Sequence, residues 1–588
     1  MSNRKNAHRR RLRVAVLAVV CGAVFVAFFA RLAWMQFARA DYYADKAAEA
    51  SSASYTITQH AARGVITDAN GVVLARDTTV YDLYLRIPAP PGTDLRETVK
   101  NIETLTGSKD VETQLAAFCS AASAGELAVA RGADADMLTA FYTAGLVQSG
   151  AVRPAARGVR SWPGGMLLPH ALGLTGPITA AQWPAAKARG RAMDAVIGQS
   201  GLEAAYDDLL RGQDGRVLIN TGFDGAVRRT AQLRQAVPGA ALVLTVDSSL
   251  QKALQDALIS QIHTLQTTKA AGAAVVVDVK TGGILAAASV PGFDLNACRA
   301  DYAALAADAA APLLDRTAQG LYAPGSAFKP AVAAAALTAG IDPAATVNCT
   351  GRYGFYNGYQ PGCLQYGHSG PVDLRTALEH SCNIFFYDVG RRLGVDTFSA
   401  MAQQLGLAAP TGVEVAEARG RLTWSSDGNY QAGLTLMAAI GQGNTAVTPL
   451  QLAAYAATLA NYGQRPALHY ADRAVSAATG ETLWQYTPTF TAVQGGEAVF
   501  GPIRDGMKRM AQTTRVLREA PVVCAAKTGS PQLADTLPGG SHYVNSVLIG
   551  YAPADDPQIA VAVVLEYGGG GANAAPILRA VLDAVFWI

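Results

Sequence analysis

Charge, cysteine and histidine are all scarce in this chain of 588 residues, and each scarcity removes a class of function. Charged residues are only 16% against 50% apolar, which excludes a disordered chain and implies cores to bury. The net charge is only +3, and outside the N-terminal leader no Lys/Arg stripe is interleaved with aromatics, so nucleic-acid binding is not expected. Seven cysteines are too few for a disulfide framework at this length. The eight histidines are scattered, no His/Cys cluster has metal-ligand spacing, and so neither a metal nor a cofactor is expected. Repeats of solenoid period are lacking as well. The length implies about two to four domains.

Long apolar runs are reduced to one. Arg4, Lys5, Arg9, Arg10, Arg11 and Arg13 form a basic leader (1–13), and Val14–Ala30 follows without a charge. Counted to Ala38, with Arg31 snorkelling and Trp34 at the interface, residues 14–38 are long enough to span a bilayer. The positive-inside rule then places the N-terminus in the cytoplasm and all that follows outside. Two rivals are cleavage at Ala38-Arg39-Ala40 and a lipoprotein site at Cys21; bulky Val20 argues against the second. An uncleaved single-pass anchor is the expectation.

Beyond the anchor, 41–54 reads as a helical continuation. Asn70-Gly71 between two alternating apolar runs predicts a hairpin. The composition shift near 240 marks a boundary between a 39–240 region and a 241–588 region. In the second, strands are expected at Ala271–Val279, Ile284–Val290, Cys524–Lys527, Val544–Tyr551 and Ile559–Glu566, with a long helical middle and a closing helix, Pro576–Trp587. That order fits an α+β domain: an antiparallel sheet, its first and last segments adjacent, packed with helices. Cys349 and Cys363 flank a Gly/Tyr-rich excursion; a disulfide or two free thiols are equally open here. Asn348-Cys-Thr350 is a formal glycosylation sequon.

The chemistry-bearing stretch is Tyr322-Ala-Pro-Gly-Ser-Ala-Phe-Lys-Pro330, a Pro-Gly turn entering an Ala-rich helix. Ser326 and Lys329 are one turn apart on one face. A serine needs a neighbouring base, and a lysine in a water-poor pocket can supply one. The pattern also occurs at Ser2/Lys5 and Ser249/Lys252, in the leader and in what reads as a capped surface helix, so alone it is weak. Downstream lie Ser381-Cys-Asn383, a turn before Ile-Phe-Phe-Tyr, and Lys527-Thr-Gly529-Ser530 at a strand end. Their first positions follow Ser326 in steps of 55 and 146 residues. Gly529 is expected to let substrate approach.

That ordered set resembles a class B penicillin-binding protein, a monofunctional peptidoglycan D,D-transpeptidase. Arg63-Gly-Val-Ile-Thr-Asp-Ala-Asn-Gly71 and Gly198-Gln-Ser-Gly-Leu-Glu203 resemble the family's pedestal motifs. Gly367-His368, Ile440-Gly-Gln-Gly443, Thr448-Pro-Leu-Gln451 and Gly550-Tyr-Ala-Pro553 resemble its catalytic domain. The resemblance implies a pedestal over 39–240 and a transpeptidase domain over 241–588. It implies Ser326 as nucleophile, Lys329 as base, Ser381 as proton relay, Asn383 orienting Lys329, and Lys527 setting the local potential. Thr528 and Ser530 would hold the substrate carboxylate, with backbone N–H groups of Ser326 and Ser530 as oxyanion hole. It implies peptidoglycan stem peptides as donor and acceptor, covalent inhibition by β-lactams, and a SEDS-type glycosyltransferase among divisome or elongasome membrane partners. Some members carry a cysteine pair like Cys349/Cys363. Two other readings stand beside it: a β-lactam-hydrolysing or sensing relative using Glu414 or Glu417, and a scaffold whose catalysis is secondary.

Overall fold

The apolar run near the N-terminus forms one continuous helix, Ser2–Ala33, closed by a π-helical turn, Trp34–Ala38. The stretch Leu12–Phe37 is 26 residues of apolar helix with its side chains exposed. At 1.5 Å per residue it is ~39 Å long, enough to cross a bilayer core. Arg31 lies over the Trp34 ring, 4.6 Å from its centroid. The computed structural model describes residues 2–39, 53–59, 61–90, 92–121, 125–189, 191, 195–221, 227–266, 269, 271–364, 367–536 and 540–587. Most of the helical continuation expected at 41–54 lies outside these residues, and Ala53 and Ser54 belong to a strand.

Two compact units form, one from residues 1–61 and 213–237, the other from 62–212 and 238–588. The first holds the apolar helix and a three-stranded antiparallel sheet of Ala53–Gln59, Gly215–Thr221 and Val227–Arg234.

In the second unit the predicted hairpin is present. Ile66–Thr67 pairs antiparallel with Val73–Ile87, and Gly71 has φ 86°, a conformation glycine adopts without strain. Asp68 closes the turn by accepting from the backbone N–H groups of Asn70 and Val72 at 2.9 and 2.7 Å. These strands continue into a seven-stranded sheet in which Ala241–Leu244 lies between Ile66–Thr67 and Ala471–Val475. The composition shift at 240 therefore falls inside a sheet built from both sides of it. Behind the sheet, the motif residues Arg63 and Glu203 meet in a buried ion-pair network. Arg63 donates to Glu203 at 2.5 Å and to Asp207 at 2.7 Å, and Arg160 donates to Glu203 at 2.6 Å. Arg191 completes it on Asp207.

The region from 241 onward is organised on an antiparallel sheet of β1 (Gly272–Asp278), β2 (Ile284–Val290), β3 (Ala525–Gly529), β4 (Ser546–Ala552) and β5 (Ile559–Leu565), in the order β2-β1-β5-β4-β3. First and last strands are adjacent, as expected. Alternate residues feed two separate cores, because successive strand side chains point to opposite faces. Val275, Val547, Ile549 and Val564 enter one; Val276, Leu548, Val563 and Leu565 enter the other. The helices around it include α1 (Ser248–Leu265), α2 (Lys329–Thr338), α3 (Asn383–Leu393), α4 (Pro449–Ala460), α5 (Gly496–Thr513) and α6 (Ala575–Phe586). Helix α1 is capped by Asp247 as read, but it is not a free surface helix. Leu250, Leu254, Leu258 and Ile262, spaced by four, bury against the second core. Its Lys252 points outward to Asp256, so this Ser-x-x-Lys is a solvated helix face.

Candidate active site

Helix α2 is buried on every side from Lys329 to Ala336, since alanine is small enough to let neighbours close over it. Ser326 lies in the 3-10 turn Gly325–Phe328 that feeds α2. Gly325 has φ 55°, and its N–H donates to Gly441 O at 3.0 Å. A Cβ on Gly441 would stand 2.2 Å from Gly325 O. The Ile-Gly-Gln-Gly stretch is thus the wall against which the serine turn is pressed.

Lys329 is fully buried, and its amine meets Ser381 O at 2.7 Å, Asn383 Oδ1 at 2.7 Å and Ser381 Oγ at 3.1 Å. The Phe386 ring lies 5.5 Å away. Burial without a carboxylate partner disfavours the ammonium and holds its pKa at about 7. Ser381 adopts φ 58°, an uncommon conformation outside glycine, which turns the chain into α3. Ser326, Lys329, Ser381 and Asn383 thus come from one turn, the helix after it, and a second turn packed on that helix.

The third motif arrives at the end of β3. Lys527 is fully buried, donates to Thr528 O at 3.2 Å, and is pushed down by burial and then by the charge of Lys329. Gly529 is where strand and turn touch. A Cβ there would stand 2.2 Å from Pro324 O. The closeness that demands glycine is therefore that of the Ser326 turn itself. Thr528 is half-buried and Ser530 exposed at the rim, its Oγ accepting from Gly571 N–H at 2.8 Å.

The carboxylates of the hydrolytic reading are engaged elsewhere. Glu414 accepts from the N–H groups of Tyr470 and Ala471 at 2.9 Å each and from Tyr206 Oη at 3.1 Å. Glu417 accepts from Thr411 N–H at 3.0 Å and its hydroxyl at 2.8 Å. Both tie loops to backbone.

The side chains of Cys349, Cys363, His368 and Cys382 converge, with ligand atoms all within 4.8 Å of one another. The spacing is too wide for a compact zinc pattern, which is why the sequence conceals the cluster. Three thiols and an imidazole are the donor set of structural zinc, whose ~2.3 Å metal–sulfur bonds require only a modest contraction. Cys382 stands between Ser381 and Asn383, and Asn383 donates its N–H to Cys363 Sγ at 3.4 Å and its Nδ2 to Gly362 O at 3.1 Å. Sequence reasoning also missed Tyr322 and Arg316, which brace the approach to the serine turn by donating to Glu566 Oε1 at 2.8 and 2.9 Å.

A serine at a helix entrance, a buried lysine fixed by a Ser-x-Asn turn, and a second buried lysine on a neighbouring strand thus lie on elements packed together. The chain belongs to the penicillin-binding protein transpeptidase family: that family's transpeptidase-domain model matches residues 272–583, and the penicillin-binding protein dimerisation-domain model matches 58–244. Relatives include the peptidoglycan D,D-transpeptidase MrdA of Salmonella typhimurium, 28% identical over 89% of this chain and 88% of that one. The peptidoglycan D,D-transpeptidase PbpA of Mycolicibacterium smegmatis is 33% identical over 66% of this chain and 79% of its own. Among solved structures, a chain described under structural coordination of polymerization and crosslinking by a peptidoglycan synthase complex aligns with TM-score 0.76 and 29% identity, covering 98% of both chains. Pseudomonas aeruginosa PBP2 in complex with WCK 5153 aligns with TM-score 0.65 and 25% identity, covering 90% of this chain and 96% of that one.

Proposed function

We propose that this peptidoglycan D,D-transpeptidase works through an acyl-enzyme on Ser326, with Lys329 as the base. The observation that carries the reading is the state of Lys329: buried, near pKa 7, and held by Ser381 and Asn383. A neutral amine has two N–H groups and one lone pair. The two hydrogens satisfy Ser381 O and Asn383 Oδ1, both pure acceptors, and leave the lone pair for a hydroxyl proton. Ser326 Oγ attacks the carbonyl of the penultimate D-Ala of a stem peptide, and its proton passes to Lys329. Backbone N–H groups of Ser326 and Ser530 stabilise the oxyanion. The C–N bond to the terminal D-Ala breaks, its nitrogen receiving the proton through Ser381. An amine of a neighbouring stem then attacks the ester, forming the cross-link and restoring Ser326.

Lys527, Thr528 and Ser530 receive the substrate carboxylate, whose charge offsets the cost of a protonated Lys527 in that buried position. In this reading residues 39–240 are a pedestal and 241–588 the catalytic domain. The helix at Leu12–Phe37 anchors the chain with its basic N-terminus in the cytoplasm. A SEDS-type glycosyltransferase is the proposed membrane partner, supported by the likeness to a chain of a peptidoglycan synthase complex. The Cys349, Cys363, His368 and Cys382 cluster is proposed as a structural zinc site. The test is covalent labelling by a fluorescent penicillin: the parent labels and Ser326→Ala does not, whereas equal labelling refutes the assignment. Complementation of a depletion strain by Ser326→Ala, with normal cross-linking, would favour a scaffold instead.

A further inference from the structure

After β5 the chain runs Tyr567-Gly-Gly-Gly-Gly571 and passes behind the end of β3. Four glycines in succession are costly to order, so their conformation must be held by something outside the run. Hydrogen bonds and close packing hold it. The buried Ser546 hydroxyl points at Gly570 O, 2.6 Å away, and at Gly568 O, 3.1 Å away. Asn573 donates Nδ2–H to Gly568 O at 2.8 Å. Gly571 lies so close to β3 that a Cβ would stand 2.4 Å from Gly529 O. The product of this bracing is a single N–H, that of Gly571, aimed at Ser530 Oγ from 2.8 Å.

An exposed serine hydroxyl ordinarily turns among staggered positions and can donate in any of them. Here one lone pair of Ser530 is engaged from behind by Gly571. The hydrogen must occupy another tetrahedral direction, away from the glycine run. We propose that Gly571 and Ser546 are positioning residues. They hold the Ser530 hydroxyl as a fixed hydrogen-bond donor to the terminal carboxylate of the donor stem, and so make the site selective for acyl donors that end in a free carboxylate. This rests on the reading of Ser530 as a carboxylate-holding residue. It adds that the selectivity is set from strand β4 and the segment after β5, through residues that hold Ser530 from behind.

The experiment compares acylation rate constants for benzylpenicillin and its methyl ester in the parent, Ser530→Ala, Ser546→Ala and Gly571→Ala. The quantity read is the acid-to-ester ratio. Ser530→Ala is expected to lower that ratio by about tenfold, the loss of one hydrogen bond to a charged group. Ser546→Ala is expected to lower it by about fivefold with the ester rate unchanged, a partial loss of the same bond. Ser546→Ala removes one buried hydroxyl and serves as the decisive variant should Gly571→Ala fail to fold, as its melting curve would reveal. If Ser530→Ala shifts the ratio but Ser546→Ala slows acid and ester alike, or leaves both unchanged, the positioning role is refuted while Ser530 keeps its own. If Ser530→Ala leaves the ratio unchanged, the carboxylate reading falls and this inference with it.

Discussion

In the proposed mechanism Lys329 must be neutral to accept a proton, and what surrounds it makes that attainable near pH 7. Burial lowers its pKa to about 7, with the thiols of Cys382 and Cys363 opposing in a smaller way. The neutral fraction therefore grows as pH rises through 7, and the acylation rate should rise with it and then level off. A stopped-flow penicillin profile that stays flat across neutrality would remove Lys329 as the base. Asn383 Oδ1 takes one of the two amine hydrogens at 2.7 Å, so Asn383→Ala leaves the lone pair without a fixed direction. The expected loss in acylation is about a hundredfold, at the low end for a mispositioned general base. A parental rate in that variant would demote Asn383.

At the scale of elements, the entrance to α3 joins two functions. Ser381 and Asn383 face Lys329, while Cys382 between them faces Cys349, Cys363 and His368. The proposed zinc site predicts that the purified protein carries about one zinc per chain by mass spectrometry. Stripping it with a chelator should lower the melting temperature, and His368→Ala should bind the metal more weakly. A metal-free preparation with unchanged melting under chelation would refute the site. The three motifs were legible at this scale because each spans few residues and they stand in a fixed order. The cluster was not, since its ligands span 349 to 382 and converge only when the excursion folds back onto α3. Gly571 likewise lies 41 residues beyond Ser530.

Across the whole molecule, the pedestal motifs have a physical explanation. Arg63 and Glu203 are 140 residues apart and meet with Arg160, Asp207 and Arg191 where water is excluded. Such a network tolerates no missing partner, because the remaining charge stays buried and unpaired. Glu203→Gln is accordingly expected to cost about 3–5 kcal/mol, read from chemical denaturation. A parental midpoint would show that the network can repack. The cost of leaving charges unpaired also explains why motifs remote from Ser326 are part of the same recognisable pattern.

What the sequence by itself determined is whatever depends on short spacing and composition. It marked the apolar helix at the N-terminus, the Asn-Gly hairpin, the buried strands, and three short motifs whose order singled out Ser326 from three copies of Ser-x-x-Lys. The tertiary structure alone decided which groups face one another across long loops. It placed Lys329 among Ser381 and Asn383 in a dry pocket, pressed Gly529 onto Pro324, aimed Gly571 at Ser530, and turned two scattered cysteines into part of a four-residue cluster. The physical reason is that protonation state and metal affinity depend on solvent exclusion and on distances of a few ångströms, and neither is a property of residues counted along the chain.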